Sequence, residues 1–181
     1  DKTAPTLSVA GLNDTQLSSS EVGTFKQYFI AADNTGGTGL VPTVAVVKNS
    51  TGVVQTLTVG SDANGTYVSG NLSGLADGSY TVEVTATDIA GNATKVTSDP
   101  FVIDATKPTL TLAALTGGLS SDGKFTSTEA TNYSQEFTAT DKAGGTGLKS
   151  TVAVVKSGTT TVQTLTVTND LTDGGHVSGN L

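Results

Sequence analysis

Residues 79–88 read SYTVEVTATD, and the alternation within them decides the fold. Tyr80, Val82, Val84 and Ala86 fall on one side of an extended chain, with Thr81, Glu83, Thr85 and Thr87 on the other. That period of two belongs to a strand with one face in a core and the other toward water. Six more stretches, 6–10, 26–32, 44–48, 54–59, 66–72 and 95–103, are rich in Val and Thr and are separated by Gly, Asn and Asp turns. No stretch carries a convincing helical period. Seven short strands in a unit of about one hundred residues predict an all-β fold, an immunoglobulin-like sandwich of antiparallel strands with Greek-key connections. LADGSY, residues 75–80, adds a second signal: Tyr80 opens the sixth strand just after an acidic turn, where such sandwiches carry a tyrosine corner.

The chain repeats itself. DKTAPTLSV at Asp1 returns as DATKPTLTL at Asp104, an offset of 103; GGTGL, TVAVVK and VQTLTV return at an offset of 108, and VSGNL at 109. The offset grows only in the first loop and in one later turn, where insertions are tolerated. The reading is therefore two tandem sandwiches, residues 1–103 and residues 104–181. The second stops at Leu181, the counterpart of Leu72, so nothing in it corresponds to residues 73–103. A sandwich without those two central strands exposes apolar faces and open edges. The expectation is that they belong to a longer polypeptide, of which a start at Asp1 is a further sign, or are supplied by a neighbouring chain.

Composition narrows the function. The formal charge is −7, there is no Cys, Met or Trp, all nine basic residues are Lys, and twelve of the sixteen acids are Asp. Lack of Arg and the scattered Lys remove nucleic acid from the list of partners. No apolar run reaches the length of a membrane span, and the start does not resemble a signal peptide. Without cysteine there is no disulfide framework, which leaves bound metal as the available staple. Asp is the carboxylate of turns and of sites for hard cations.

Strand order places those acids. In the sandwich, the start of the first strand, the loop after the second and the loop after the sixth lie at one pole. Asp33 in AADNTGGTGL opens one loop, Asp88 in ATDIAGN opens the other, and Asp1 enters beside them. Asp104 and Asp141 are their counterparts in the second repeat. Three convergent carboxylates with carbonyls of Gly-rich turns suit Ca2+, which takes six to eight oxygens.

DxTxPTL at the start of a unit, LADGSYTVEVTATDIAGN near its end and a period near one hundred resemble the bacterial Ig-like repeats of giant Gram-negative adhesins, the biofilm and ice-binding surface proteins secreted by type I systems. The resemblance implies an extender: a non-catalytic stalk, outside the cell and anchored at the outer membrane, that projects a ligand-binding tip and is stiffened by calcium at its domain junctions. It implies neighbouring repeats of the same chain as partners, with no small-molecule substrate and no insertion into the membrane. Carried over, the matching metal positions are Asp1 and Asp104, Asp33 and Asp141, and Asp88; at the far pole Asp77 is the first choice, followed by Asp14 and Glu21. The alternative is an Ig-like binding module that grips a glycan or a protein through its polar loops, although exposed aromatics are scarce.

Other chemistry is declined. His176 is the single histidine and has no Cys beside it for a zinc site. GGTGL lacks the Lys of a phosphate loop. Paired acids on repeated small modules do not line a glycosidase cleft. Outward Thr81, Thr85 and Thr87 are interrupted by Glu83 on a twisted sheet, which does not make a flat ice-binding lattice.

Overall fold

The structure is a computed structural model that describes residues 1–115, 124–143, 145–168 and 175–181. Both loops where the repeat offset grows include residues outside that set. The chain divides into two compact units: Asp1–Thr106 with Ala143–Thr146, and Lys107–Lys142 with Gly147–Leu181.

The first unit holds β1 (Thr6–Val9), β2 (Gln16–Ser18), a 3-10 turn (Val22–Thr24), β3 (Phe25–Ala32), β4 (Val44–Asn49), β5 (Gly52–Asp62), β6 (Gly65–Gly70), β7 (Gly78–Thr87), β8 (Ala93–Thr97) and β9 (Phe101–Asp104). Hydrogen bonding runs in the order β1-β3-β6-β5-β4-β7-β9-β2, with β8 also on β7. β5 is longer than the period-two signal of 54–59 suggests because it serves both sheets: its first half pairs with β4, from Gly52 to Leu57, and its second half with β6, from Thr58 to Asp62. The sheet thereby folds over into a sandwich. Alternation in β7 is as read from sequence, since Tyr80, Val82, Val84 and Ala86 are all buried. Tyr80, Val82 and Val84 meet Phe25, Phe29, Val47, Val68, Phe101 and Ile103 in one core. Phe101 stacks on Phe25 with ring centroids 5.3 Å apart.

Two features depart from the sequence reading. The single strand expected over 95–103 is two strands. β8 pairs antiparallel with the end of β7, and β9 pairs with its start, Tyr80 opposite Phe101. Between them Pro100 has no N–H to give, and Ser98 fills the ladder in its place: its N donates to Val82 O at 2.8 Å and its Oγ accepts from Val82 N at 2.9 Å. β2, inside what reads as a loop, pairs in parallel with β9, Gln16 opposite Val102. Three residues are too few to show a period.

The second unit holds β10 (Thr109–Leu112), α1 (Ser127–Ala130), β11 (Tyr133–Thr140), β12 (Ala153–Ser157), β13 (Thr160–Thr168) and β14 (Gly175–Gly179), in the order β10-β11-β14-β13-β12. These strands correspond one to one to β1-β3-β6-β5-β4. Even the register shift between Val47 and Lys48 recurs between Val155 and Lys156. Its core is small: Phe137, Ala139, Leu165 and Val177. The single helical turn α1 corrects the reading that no stretch is helical. Its signal is a capping box, not a period: Thr126 Oγ1 accepts from Glu129 N, and Glu129 Oε2 accepts from Thr126 N.

Register fixes the pole that matters. Thr6 lies opposite Ala32 and Val44 opposite Thr85, so the start of β1, the end of β3, the start of β4 and the end of β7 share one end of the first sandwich.

Candidate metal site

Each side chain at that pole is placed by a strand that has just ended. Asp33 follows β3, Asp88 follows β7 and Asp1 precedes β1. The two loops are zipped together, with Val41 N donating to Thr87 O at 2.9 Å, Ile89 N to Gly39 O at 2.8 Å and Ala90 N to Thr38 Oγ1 at 3.1 Å. Asn92 Nδ2 reaches Asp1 O at 3.4 Å, which ties the chain start to the same corner. One ligand oxygen from each of Asp1, Asp33 and Asp88 lies within 4.8 Å of the other two, the sole such acidic or His group among the described residues.

Asp88 is 1% exposed. Burial pushes its carboxyl up, but the Asn92 side chain and the backbone N–H groups of Asn92, Gly91 and Ala90 outweigh that and hold it below the usual carboxylate range. It is therefore charged at neutral pH. Asn92 N donates to Oδ1 and Asn92 Nδ2 to Oδ2, both at 2.7 Å. Asp33 accepts from Asn34 N at 2.9 Å and from Gly39 N at 2.6 Å. Asp1 accepts from Thr3 N at 2.9 Å and from Thr38 N at 3.2 Å.

Gly37 marks the centre of this arrangement. A β-carbon on Gly37 would sit 2.5 Å from Asp33 Oδ2, 2.7 Å from Asp1 Oδ2 and 2.8 Å from the Asn34 amide, so the ends of three side chains close over a residue without one. The Asn34 amide lies 3.0 Å from Asp33 Oδ1 and 3.3 Å from Asp1 Oδ2. Turned with its NH2 inward it donates to both carboxylates; turned with its oxygen inward it offers a neutral oxygen ligand. The three carboxylates, with one oxygen each within 4.8 Å of the others, are hard-oxygen donors at a mutual spacing that a calcium ion can span. Asn34, Asn92 and Gly37 are absent from the sequence-derived set, although ADN and DIAGN both carry the Asn next to or just after the acid.

The other acids fall elsewhere. Asp77 Oδ1 accepts from Ala105 N at 2.9 Å, which ties the turn before β7 to the residues after β9. Asp14 Oδ1 accepts from Gln16 N at 2.8 Å in an Asx turn. Glu21 takes the Ser18 hydroxyl and Ser18 N, and these hold its carboxyl below the usual range. Within the first compact unit, Thr146 N and Oγ1 donate to Asp104 Oδ2 at 2.7 and 2.6 Å. Within the second, Gly147 N donates to Asp141 Oδ2 at 2.8 Å. These are the bonds that Thr38 and Gly39 make to Asp1 and Asp33, copied in the second repeat. Tyr80 Oη donates to Ala76 O at 2.7 Å, the geometry of a tyrosine corner.

Residues 2–105 match the bacterial Ig-like domain family. The chain belongs to that family. This bacterial Ig-like chain is similar over 97% of its length to a tetra-tandem repeat in the extending region of a large adhesion protein, at 27% identity and a TM-score of 0.40. Over 99% of its length it is similar, at 23% identity and a TM-score of 0.44, to a Ca2+-stabilized adhesin that helps an Antarctic bacterium reach out and bind ice. It spans 40% and 41% of those chains. No curated protein matches the bacterial Ig-like chain. Among its described residues no helix is long and apolar enough to cross a membrane.

Proposed function

We propose that the chain is a non-catalytic extender of a bacterial surface adhesin, and that calcium held by Asp1, Asp33 and Asp88 fixes the pole through which one repeat joins the next. The observation that carries this reading is the convergence of Asp1, Asp33 and Asp88, one carboxylate oxygen of each within 4.8 Å of the other two. Bound calcium supplies positive charge that cancels the mutual repulsion of the carboxylates. The chain's own residues do the rest. Asp1 belongs to the segment that leads into a repeat, Asp33 and Asp88 to the two loops that crown it, so shared ligation removes freedom from three segments at once. By the internal repeat, Asp104 and Asp141 are the equivalents of Asp1 and Asp33. A stalk of such units works outside the cell, where calcium is plentiful, and is stiff there.

Metal that binds only the folded state adds about 2.7 kcal/mol at one hundred times its dissociation constant. Thermal melts in millimolar calcium, in chelator and in equal magnesium test the reading. A midpoint that falls by many degrees in chelator and is restored by calcium alone supports it. An unchanged midpoint makes these aspartates turn formers and moves the search for function to the loops as a binding surface.

A further inference from the structure

Asparagine followed by glycine occurs once in the chain, at Asn64-Gly65, and the second repeat has no such pair. The pair lies at the two-residue turn between β5 and β6, where Asp62 stands opposite Gly65 and closes the hairpin. Both residues of the pair are exposed. Asp62 holds the main chain there: its Oδ1 accepts from Asn64 N at 2.8 Å, and its Oδ2 accepts from Lys26 Nζ at 2.9 Å and from Tyr28 Oη at 3.0 Å. The Asn64 side chain itself makes no hydrogen bond among the described residues. Other asparagines are tethered. Asn49 Oδ1 accepts from Thr51 N and Oγ1, Asn71 Oδ1 accepts from Ser73 N, Asn92 Nδ2 donates to Asp88 Oδ2, and Asn132 Nδ2 donates to Thr128 O. Gly65 has φ 130°, and nothing lies within 4 Å of where its β-carbon would stand, so that flank of the residue is open.

We propose that Asn64 is a self-modification site, at which the chain loses ammonia and rearranges to aspartate and isoaspartate. Fraying of the Asp62–Gly65 pair at the end of the hairpin frees the Gly65 amide. Its nitrogen attacks Cγ of Asn64 and gives up its proton. The new N–C bond closes a cyclic imide as the Asn64 side-chain nitrogen takes up that proton and leaves as ammonia. Water then adds to one of the two imide carbonyls and the C–N bond there breaks. Opening at Cγ leaves aspartate; opening at the main-chain carbonyl leaves isoaspartate, the larger product, in which the chain runs through Cγ. The step consumes water and releases ammonia, with no change of oxidation state. Either product adds a carboxylate close to Asp62, in the turn that carries its pair with Lys26. Isoaspartate also lengthens the main chain by one carbon in a turn whose length sets the β5–β6 register, so the hairpin end loosens.

The test ages the whole chain, folded in neutral buffer and in parallel unfolded in urea. Peptide mass spectrometry follows each asparagine, and enzymatic methylation reports isoaspartate. In the folded chain residue 64 converts first, about tenfold or more ahead of the tethered asparagines, since each side-chain bond that must break slows conversion about fivefold. Asn64→Gln, whose longer side chain closes the ring far less readily, abolishes the product at this turn. Amide exchange across residues 65–67 quickens in the aged parent and not in aged Asn64→Gln. Conversion that begins at another asparagine overturns the proposal. So does conversion at residue 64 that folding slows more than about tenfold relative to urea, because the hairpin then protects the pair. Isoaspartate that accumulates equally in Asn64→Gln overturns it as well, and conversion with unchanged exchange overturns the loosening of the hairpin.

Discussion

Asn92 clamps both oxygens of Asp88, its N on Oδ1 and its Nδ2 on Oδ2, each at 2.7 Å. A carboxylate that is almost wholly buried stays ionised because of that clamp. Its folded pKa is depressed, so its contribution to stability is complete above the ordinary carboxylate range and is lost as pH falls through and below it. Asn92→Ala removes the side-chain donor and leaves burial opposing the charge. In chelator, the variant melts roughly 5 °C lower near neutral pH, and it loses less stability on acidification than the parent, so the gap between the two narrows as pH falls. Melting midpoints followed from about pH 7 to about pH 3 check this; two curves that differ by a constant offset sink it.

Gly37→Ala tests the metal reading more sharply than removal of an acid does. Gly37 is not among the glycines with positive φ, so the backbone accepts alanine. The new methyl lies within 2.8 Å of Asp33 Oδ2, Asp1 Oδ2 and the Asn34 amide, so those side-chain ends must turn away. The expected outcome is a melt in chelator within about 1 kcal/mol of the parent and a calcium response lost by an order of magnitude or more in affinity. Calcium titration by calorimetry reads this, and a parent-like affinity in the alanine variant refutes it.

Legibility followed the range of the interactions. Period two in 79–88 depends on one strand and one core, and the structure buries those four residues. Strand order alone brought Asp1, Asp33 and Asp88 to one pole, because the ends of strands are set by topology. β2 pairs with a strand 86 residues away, Gln16 opposite Val102, and carries no local mark. Pro100 was a visible mark of the break between β8 and β9, but reading 95–103 as one run passed over it. Asn34 and Gly37 required the loop conformation itself, which composition does not specify. Asp14 and Glu21 accept bonds within their own turns, from Gln16 N and from Ser18.

Two glycines occupy the same place in the two repeats and separate a complete core from an open one. A β-carbon on Gly70 meets Leu57 Cδ2 at 2.7 Å, and one on Gly179 meets Leu165 Cδ2 at 2.6 Å. Leu57 is held in the large core of the first unit, while Leu165 lines an open apolar hollow with Leu110, Leu112, Phe137 and Val177. Gly70→Ala therefore costs about 1–3 kcal/mol, the range for overpacking, and Gly179→Ala costs less because Leu165 has room to turn. Denaturant melts of the two variants, with the transitions of the units followed separately by isotope-edited spectra, give the comparison. Equal costs mean that the second core is as constrained as the first.

Tyr80 joins packing to a backbone tether. Its ring lies 6.1 Å from that of Phe101, and its hydroxyl donates to Ala76 O at 2.7 Å, fixing the turn from which β7 departs. Tyr80→Phe keeps the ring and deletes the donor, leaving a carbonyl in a half-buried turn without that partner, so it destabilises the first unit by about 1 kcal/mol. The alkaline limb responds as well. Burial, with the Asp77 charge adding to it, raises the Tyr80 pKa above its ordinary value. A raised folded pKa gives stability that is complete below the unfolded pKa and is lost as pH rises through the folded one. The phenylalanine variant lacks that group, so its stability falls less steeply above about pH 10. Urea midpoints measured on both proteins across that range test the argument, and parallel alkaline limbs would show that Tyr80 ionises as freely in the fold as in the unfolded chain.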